Sequence, residues 1–148
     1  MIILFDTNVL LDVLLRREPH ATAAVQLFAA VERGTLAGLI AASAVPTLYY
    51  LAAKAVGARQ ARTELRNLLK LFDVAPVTRV VLEDALSLPF PDYEDAILHE
   101  TARHVGATGI VTRNQKDFKR AKLRVYTPDE LVQIMQAGSS AQSGEDLR

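Results

Sequence analysis

Five short apolar runs alternate with helix-patterned segments along the chain, and this alternation constrains the fold more than any other feature. The runs are Ile2 to Phe5, TLAGLIAAS at 35–43, FDVAPV at 72–77, ATGIVT at 107–112 and LRVYT at 123–127. The first is continuously apolar, as in a central parallel strand covered on both faces. Residues 7–15 place Val9, Leu10, Val13 and Leu14 on one helical face. Pro19 opens a second helix through Ala23, Ala24, Leu27, Phe28 and Val31, which Gly34 ends. Ser43 is placed to cap a third, with Pro46 in its first turn and Leu48, Tyr49 and Leu51 in its body. Residues 58–71 form a basic amphipathic helix with Leu65, Leu68, Leu69 and Phe72 inward, and residues 79–88 read as helical up to the break LPFP. Asp92 to Val105 is the plainest helix: Ala96, Ile97, Thr101 and Val105 line one side and Gly106 stops it. A last helix is expected from Pro128 to Gln136. Strands and helices alternating in this way predict an α/β sandwich around a mostly parallel sheet. One domain is expected over 1–136, and the tail at 137–148, AGSSAQSGEDLR, has little to bury and is expected to be disordered.

The length of 148 residues suits a single domain, and half of them are hydrophobic, enough for a core. Lys plus Arg and Asp plus Glu are 17 each, so no global field draws the chain to polyanions and any such binding needs a local patch. With no cysteine, disulfide scaffolds and thiolate metal sites are excluded. The first residues lack a signal peptide's basic start and cleavage site, and the apolar stretches are too short to span a bilayer. A soluble, cytoplasmic protein without membrane association is expected.

In parallel α/β sheets, ligands bind at the carboxyl ends of the strands. The first strand runs directly into Asp6 at that end, and a buried carboxylate is costly unless it is paired or holds a metal. PDYEDAILHE opens a helix with Asp92 and Asp95 on one face; IVTRNQKDF leaves its strand through Thr112, Asn114 and Asp117; SAVPTLYY leaves at Ser43 and Thr47. On a parallel sheet these segments converge. Asp6, Asp95 and Asp117, with Asn8, Asn114 and Asp92, then form an oxygen-rich pocket suited to Mg²⁺ or Mn²⁺ rather than zinc. Plainer readings stand beside this one. Asp6 and Asp92 also suit helix caps, Asp95 suits the positive end of a helix, and Asp117 suits a turn. Glu94 is expected to point away into solvent, and Asp12 to be a surface acid. His99 falls one turn after Asp95, but is expected at the surface, as are His20 and His104. The basic run Arg113, Lys116, Lys119, Arg120, Lys122 and Arg124 adjoins the pocket; it suits RNA phosphates or a solvated loop. Arg59, Arg62, Arg66 and Lys70 share a helix face open to RNA, to an acidic partner or to solvent alone. Tyr49 and Tyr50 are expected in the core or a dimer contact, and there is no aromatic array for reading single-stranded bases.

FDTNVLLD, DYEDAILHETARHVGATGIVTRNQKDF and the spacing between them resemble the PIN domain family over about residues 2–134. The resemblance implies a flavodoxin-like three-layer sandwich and a metal-dependent ribonuclease; small bacterial members are often VapC-type toxins of toxin–antitoxin pairs. By position, Asp6 matches the family's first acid, Asp95 the acid opening the helix before the fourth strand, and Asn114 with Asp117 the segment carrying the last acid. Asn8 matches the asparagine supporting the first acid, and Thr47, Asp92 and Thr112 are further supporting residues. The resemblance thus implies catalytic Asp6, Asp95, Asp117 and Asn114, with Asp6 and Asp95 on Mg²⁺, for which Mn²⁺ can substitute. Arg113, Lys116 and Lys119 become RNA contacts, and an antitoxin and a second copy in a homodimer become partners. In such chemistry the metal activates a water and relieves charge on the phosphate. The departure is Thr47, which stands where many members carry an acid. It favours one tightly held ion, with a second arriving with RNA. It also motivates the alternative of a degenerate PIN domain that binds RNA or protein without cutting. A phosphotransfer domain of flavodoxin type is a third reading, but neither G-x-x-x-x-G-K-[ST] nor G-x-G-x-x-G is present.

Overall fold

β1 (Ile2–Phe5) is the middle strand of a five-stranded sheet of order β3-β2-β1-β4-β5, in which every pairing is parallel. The computed structural model describes residues 1–146. β1 leads through α1 (Thr7–Leu14) and α2 (Ala21–Glu32) to β2 (Ala37–Ala41), and β2 through α3 (Ala44–Val56) and α4 (Ala58–Leu71) to β3 (Asp73–Ala75). The chain then crosses back through α5 (Arg79–Leu86) and α6 (Tyr93–His104) to β4 (Gly109–Val111) on the other side of β1. A 3₁₀ turn (Gln115–Phe118), β5 (Arg124–Tyr126) and α7 (Pro128–Asp146) complete it. The strand order reverses at β1, between β2 and β4, and the right-handed rule for parallel crossovers puts α1–α4 on one face and α5–α6 on the other, with α7 returning to the first beside α2. α7, α2, α1, α3 and α4 touch in series, while α5 pairs with α6. This is the expected three-layer sandwich.

The core sits where the sequence is most apolar. Ile3, Leu4 and Phe5 are fully buried, as a strand covered on both faces requires. The Phe5 ring meets Phe28 and Phe72 edge to face, at 6.1 and 4.9 Å, joining β1 to α2 and to the end of α4. β2 makes room for this cluster: a Cβ on Gly38 would fall 2.5 Å from the Phe72 ring. Gly109 has the same function on the other side, since a Cβ there would fall 2.6 Å from the Arg124 carbonyl of β5. Both glycines are required by close approach rather than by a special φ.

Several local expectations change. Ser43 precedes α3, but its backbone is helical and its side chain makes no capping bond. Leu65, Leu68 and Phe72 are inward as expected, whereas Leu69 is 43% exposed. Tyr50 lies in solvent, and Tyr49 is half-buried beneath Arg62, 5.5 Å from the ring centre. α7 passes the expected end at Gln136 and reaches Asp146; of the tail expected to be disordered, residues 147–148 lie outside the described residues.

Candidate metal centre at the carboxyl edge

β1 and β4 are paired with Phe5 opposite Val111, so the residues that follow them, Asp6 and Thr112, emerge side by side at the carboxyl edge. The Asp6 amide donates to the Val111 carbonyl at 3.0 Å, continuing the ladder by one step. The Asp6 side chain then turns back as the N-cap of α1. Its Oδ1 accepts from the Thr7 amide at 2.7 Å, and Oδ2 accepts from the Thr112 hydroxyl at 2.7 Å and from Asn8 Nδ2 at 3.3 Å. The capping role and the site role are therefore held by one carboxylate. Asn8 is oriented on both sides, donating to Asp6 and to Thr112 Oγ1 and accepting the Arg113 amide at 3.2 Å. Thr112 is fully buried and also accepts the Asn114 amide at 3.1 Å.

α6 descends from the same edge. Asp92 is its N-cap and accepts the Asp95 amide at 3.1 Å, so the capping expectation for Asp92 holds. The Asp95 carboxylate accepts no hydrogen bond among the described residues. It lines a recess of about 200 Å³ together with Asp6, Ser43, Thr47 and Glu94. Asp95 also lines a neighbouring cavity of about 520 Å³, whose rim carries Asp92, Asp117, Lys116, Lys119 and Arg120. Asp117 and Asn114 are exposed and held by backbone, the Asp117 amide donating to the Asn114 carbonyl at 3.0 Å.

The electrostatics show how closely these acids converge. Burial, then the charges of Asp92, Asp6, Asp117 and Glu94, push the Asp95 carboxyl up to about 7. Burial also raises Asp6, opposed by its bonds to Thr112 and Thr7, and Asp117 adds to the rise. Arg113 offsets part of the rise at Asp6, but no basic side chain lines the recess itself, and every polar side-chain group facing it offers oxygen. That donor set fits a hard divalent cation such as Mg²⁺ or Mn²⁺.

Three residues lie where the sequence reading did not put them. Glu94 is exposed as expected, yet it faces the same recess as Asp6 and Asp95. It sits in the first turn of α6 next to Asp95. Asp12 is fully buried rather than at the surface, clamped by Arg113 Nε at 2.6 Å and Arg17 Nε at 3.0 Å. Arg113 is consequently committed to Asp12, in contrast to the exposed Lys116 and Lys119. His99 is fully buried instead of superficial. His20 and His104 are exposed as expected.

A second group of potential ligand atoms, on Asp84, Glu100 and His104, lies within 4.8 Å of one another between α5 and α6. Arg103 already fills it, reaching Glu100 Oε2 at 2.6 Å and Asp84 Oδ2 at 3.3 Å, and His104 Nε2 meets Asp84 at 2.9 Å. Burial alone would raise the Glu100 carboxyl, but Arg103 and His99 hold it below its ordinary range. This group is an ion-pair network joining two helices, separate from the recess at the carboxyl edge.

The model of the PIN domain family matches residues 2–116. The chain belongs to the PIN domain family. No curated protein matches it significantly. Solved structures with the same fold include VapBC2 from Rickettsia felis bound to a DNA fragment from their promoter. The likeness is 19% identity over 86% of this chain and 98% of that one, with a TM-score of 0.65. A toxin–antitoxin complex from Klebsiella pneumoniae shares 28% identity over 84% of this chain and 96% of that one, also with a TM-score of 0.65. VapC20 from Mycobacterium tuberculosis, a sarcin-ricin loop cleaving toxin, shares 16% identity over 73% of this chain and 86% of that one, with a TM-score of 0.59.

Proposed function

We propose that this PIN domain is a divalent-metal-dependent endoribonuclease and the toxin of a toxin–antitoxin pair. The observation that carries the reading is the convergence of Asp6 and Asp95 on one recess, with the Asp95 carboxyl pushed up to about 7 by burial and by surrounding acids. The kinship to VapC toxins, one of them an RNA-cleaving toxin by name, supports the substrate class.

Asp6 and Asp95 would hold the ion, preferably Mg²⁺ with Mn²⁺ as substitute, and Asp117 or Asn114 would complete its shell through water. A divalent ion bound there supplies an activated water and charge relief at the scissile phosphate. The chain's own residues do the rest. Thr7, Asn8 and Thr112 fix both oxygens of Asp6 and so hold its carboxylate in one orientation beside the recess. Arg113 acts from behind by orienting Asn8 through its amide, while its guanidinium stays on Asp12. Lys116 and Lys119 stand at the rim, where they would meet backbone phosphates.

The binding-only alternative rests on Thr47, which brings a hydroxyl to the recess in place of an acid. Glu94 argues against it, since it returns a carboxylate to the same recess from α6. An antitoxin would reach the acids with an arginine. The apolar groove of about 390 Å³ between α3 and α4, lined by Val45, Tyr49, Leu65 and Leu69, would serve a homodimer. No helix among the described residues is long and apolar enough to cross a membrane, which suits action on cytoplasmic RNA. The test is cleavage of a ribo-oligonucleotide in Mn²⁺ by wild type and Asp95→Asn, with chelator as control. Wild type should cut, and Asp95→Asn should be slower by more than about a hundredfold. A wild type that binds the oligonucleotide without cutting it would establish the alternative.

A further inference from the structure

His99 is buried in the second turn of α6, one turn after Asp95, and the proposed metal centre does not use it. Both of its ring nitrogens are engaged. Nε2 lies 3.0 Å from the Lys122 amide nitrogen, which can only donate, so Nε2 carries the lone pair. Nδ1 therefore carries the proton and donates to Glu100 Oε1 at 3.2 Å, and Glu100 is in turn fixed by Arg103. Burial favours this neutral form. The ring also packs on Phe90, with centroids 5.2 Å apart, and Phe90 meets Phe118 edge to face at 5.9 Å.

These contacts join two walls of the cavity beside Asp95. One wall is Pro89 to Pro91 leading into Asp92 and Asp95 at the start of α6; the other is the segment with Lys116, Asp117, Lys119 and Arg120. Phe118 anchors the start of the basic segment in the core. After it, the backbone is held by the Ala121 amide on the Phe118 carbonyl and by the Lys122 amide on His99. The second is the only hydrogen bond from this segment to α6 among the described residues. Past the Phe118 anchor, this bond is the polar tie that holds the stretch carrying Lys119 and Arg120 against α6.

We propose that His99 is a positioning residue for the RNA strand, holding Lys119 and Arg120 at the height above Asp95 where they grip phosphates flanking the scissile bond. The inference rests on the ribonuclease reading above. His99 touches neither RNA nor metal; it acts through the Lys122 amide.

A pair of substitutions separates this from general packing. In His99→Gln the amide oxygen reaches the place of Nε2 and can still accept from Lys122. His99→Asn reaches only the place of Nδ1, keeping the Glu100 side and releasing Lys122. With a single-stranded ribo-oligonucleotide and Mn²⁺, His99→Asn should raise KM about tenfold with kcat little changed, the pattern of lost uniform binding, while His99→Gln stays near wild type. Lys119→Glu, at an exposed position, should raise KM on its own. Combined with His99→Asn it should add less than its separate effect, because both changes disable the same grip. The Lys122 amide of unmodified protein should be protected from hydrogen exchange. Equal KM values for the Asn and Gln variants, effects that multiply independently, or an unprotected Lys122 amide would each overturn the proposal. If wild type neither cuts nor binds the oligonucleotide, the ribonuclease reading fails and the inference falls with it. If wild type cuts and only the Asn–Gln contrast is missing, the inference alone fails.

Discussion

Asp6 and Asp95 face one recess from different elements, and their surroundings treat them differently. Asp6 accepts from three donors, whereas the Asp95 carboxylate accepts none among the described residues and is raised by burial and by the neighbouring acids. A carboxyl whose pKa is raised on folding favours the folded state at low pH, and that contribution is lost as pH rises through the folded value. For Asp95 the window runs from its ordinary value of 3.8 up to about 7. Metal-free protein should therefore melt lower at pH 8 than at pH 6. Mn²⁺ should raise the melting temperature by a larger margin at pH 8, and Asp95→Asn should remove most of both effects. Differential scanning calorimetry in chelator and in Mn²⁺ reads this directly; equal Mn²⁺ responses at the two pH values would count against it. At this scale the sequence was a partial guide. Asp6, Asp95 and Asn8 are legible from their place after a strand or at a helix start. Asp12 and His99 are not, because their burial depends on Arg113 and the Lys122 amide, 101 and 23 positions away along the chain.

The elements are legible wherever local periodicity decides them. α4 spans the predicted 58–71, and β1 the predicted Ile2–Phe5, because apolar spacing alone marks their buried faces. Leu69 departs from the pattern, since the inward stripe of α4 is narrower than the apolar one. Ser43 has the residue type of a cap but helical backbone angles, so its hydroxyl satisfies no amide of α3. Close approach between strands is equally hidden from spacing. Gly109 lies against the Arg124 carbonyl, backbone that cannot swing aside. Gly109→Ala should destabilise the fold by about 1–3 kcal/mol, the usual cost of overpacking, seen as a lower urea midpoint. It should also weaken cleavage, because β4 carries Thr112 to Asp6. An unchanged midpoint would mean that β4 and β5 separate more easily than their pairing implies.

For the whole molecule the constraint is zero net charge, so the RNA binding proposed above has to rest on a local patch. Arg113 is spent on Asp12, so the patch at the site is Lys116, Lys119 and Arg120. Three phosphate contacts on a single strand give a slope of log affinity against log salt of about −2. A measured slope steeper than about −4 would show that α4, with Arg59, Arg66 and Lys70, also carries RNA. The fold makes the site possible by reversing strand order at β1, which opens the carboxyl edge between β2 and β4 where Asp6 emerges. The central claim is that this edge holds a catalytic divalent ion on Asp6 and Asp95. The most direct measurement is calorimetric titration of Mn²⁺ into wild type and Asp6→Asn, with RNA cleavage followed on the same samples. Wild type is expected to bind the ion and cut, and folded Asp6→Asn to do neither. Asp6→Asn that binds Mn²⁺ and cuts as wild type does would contradict it.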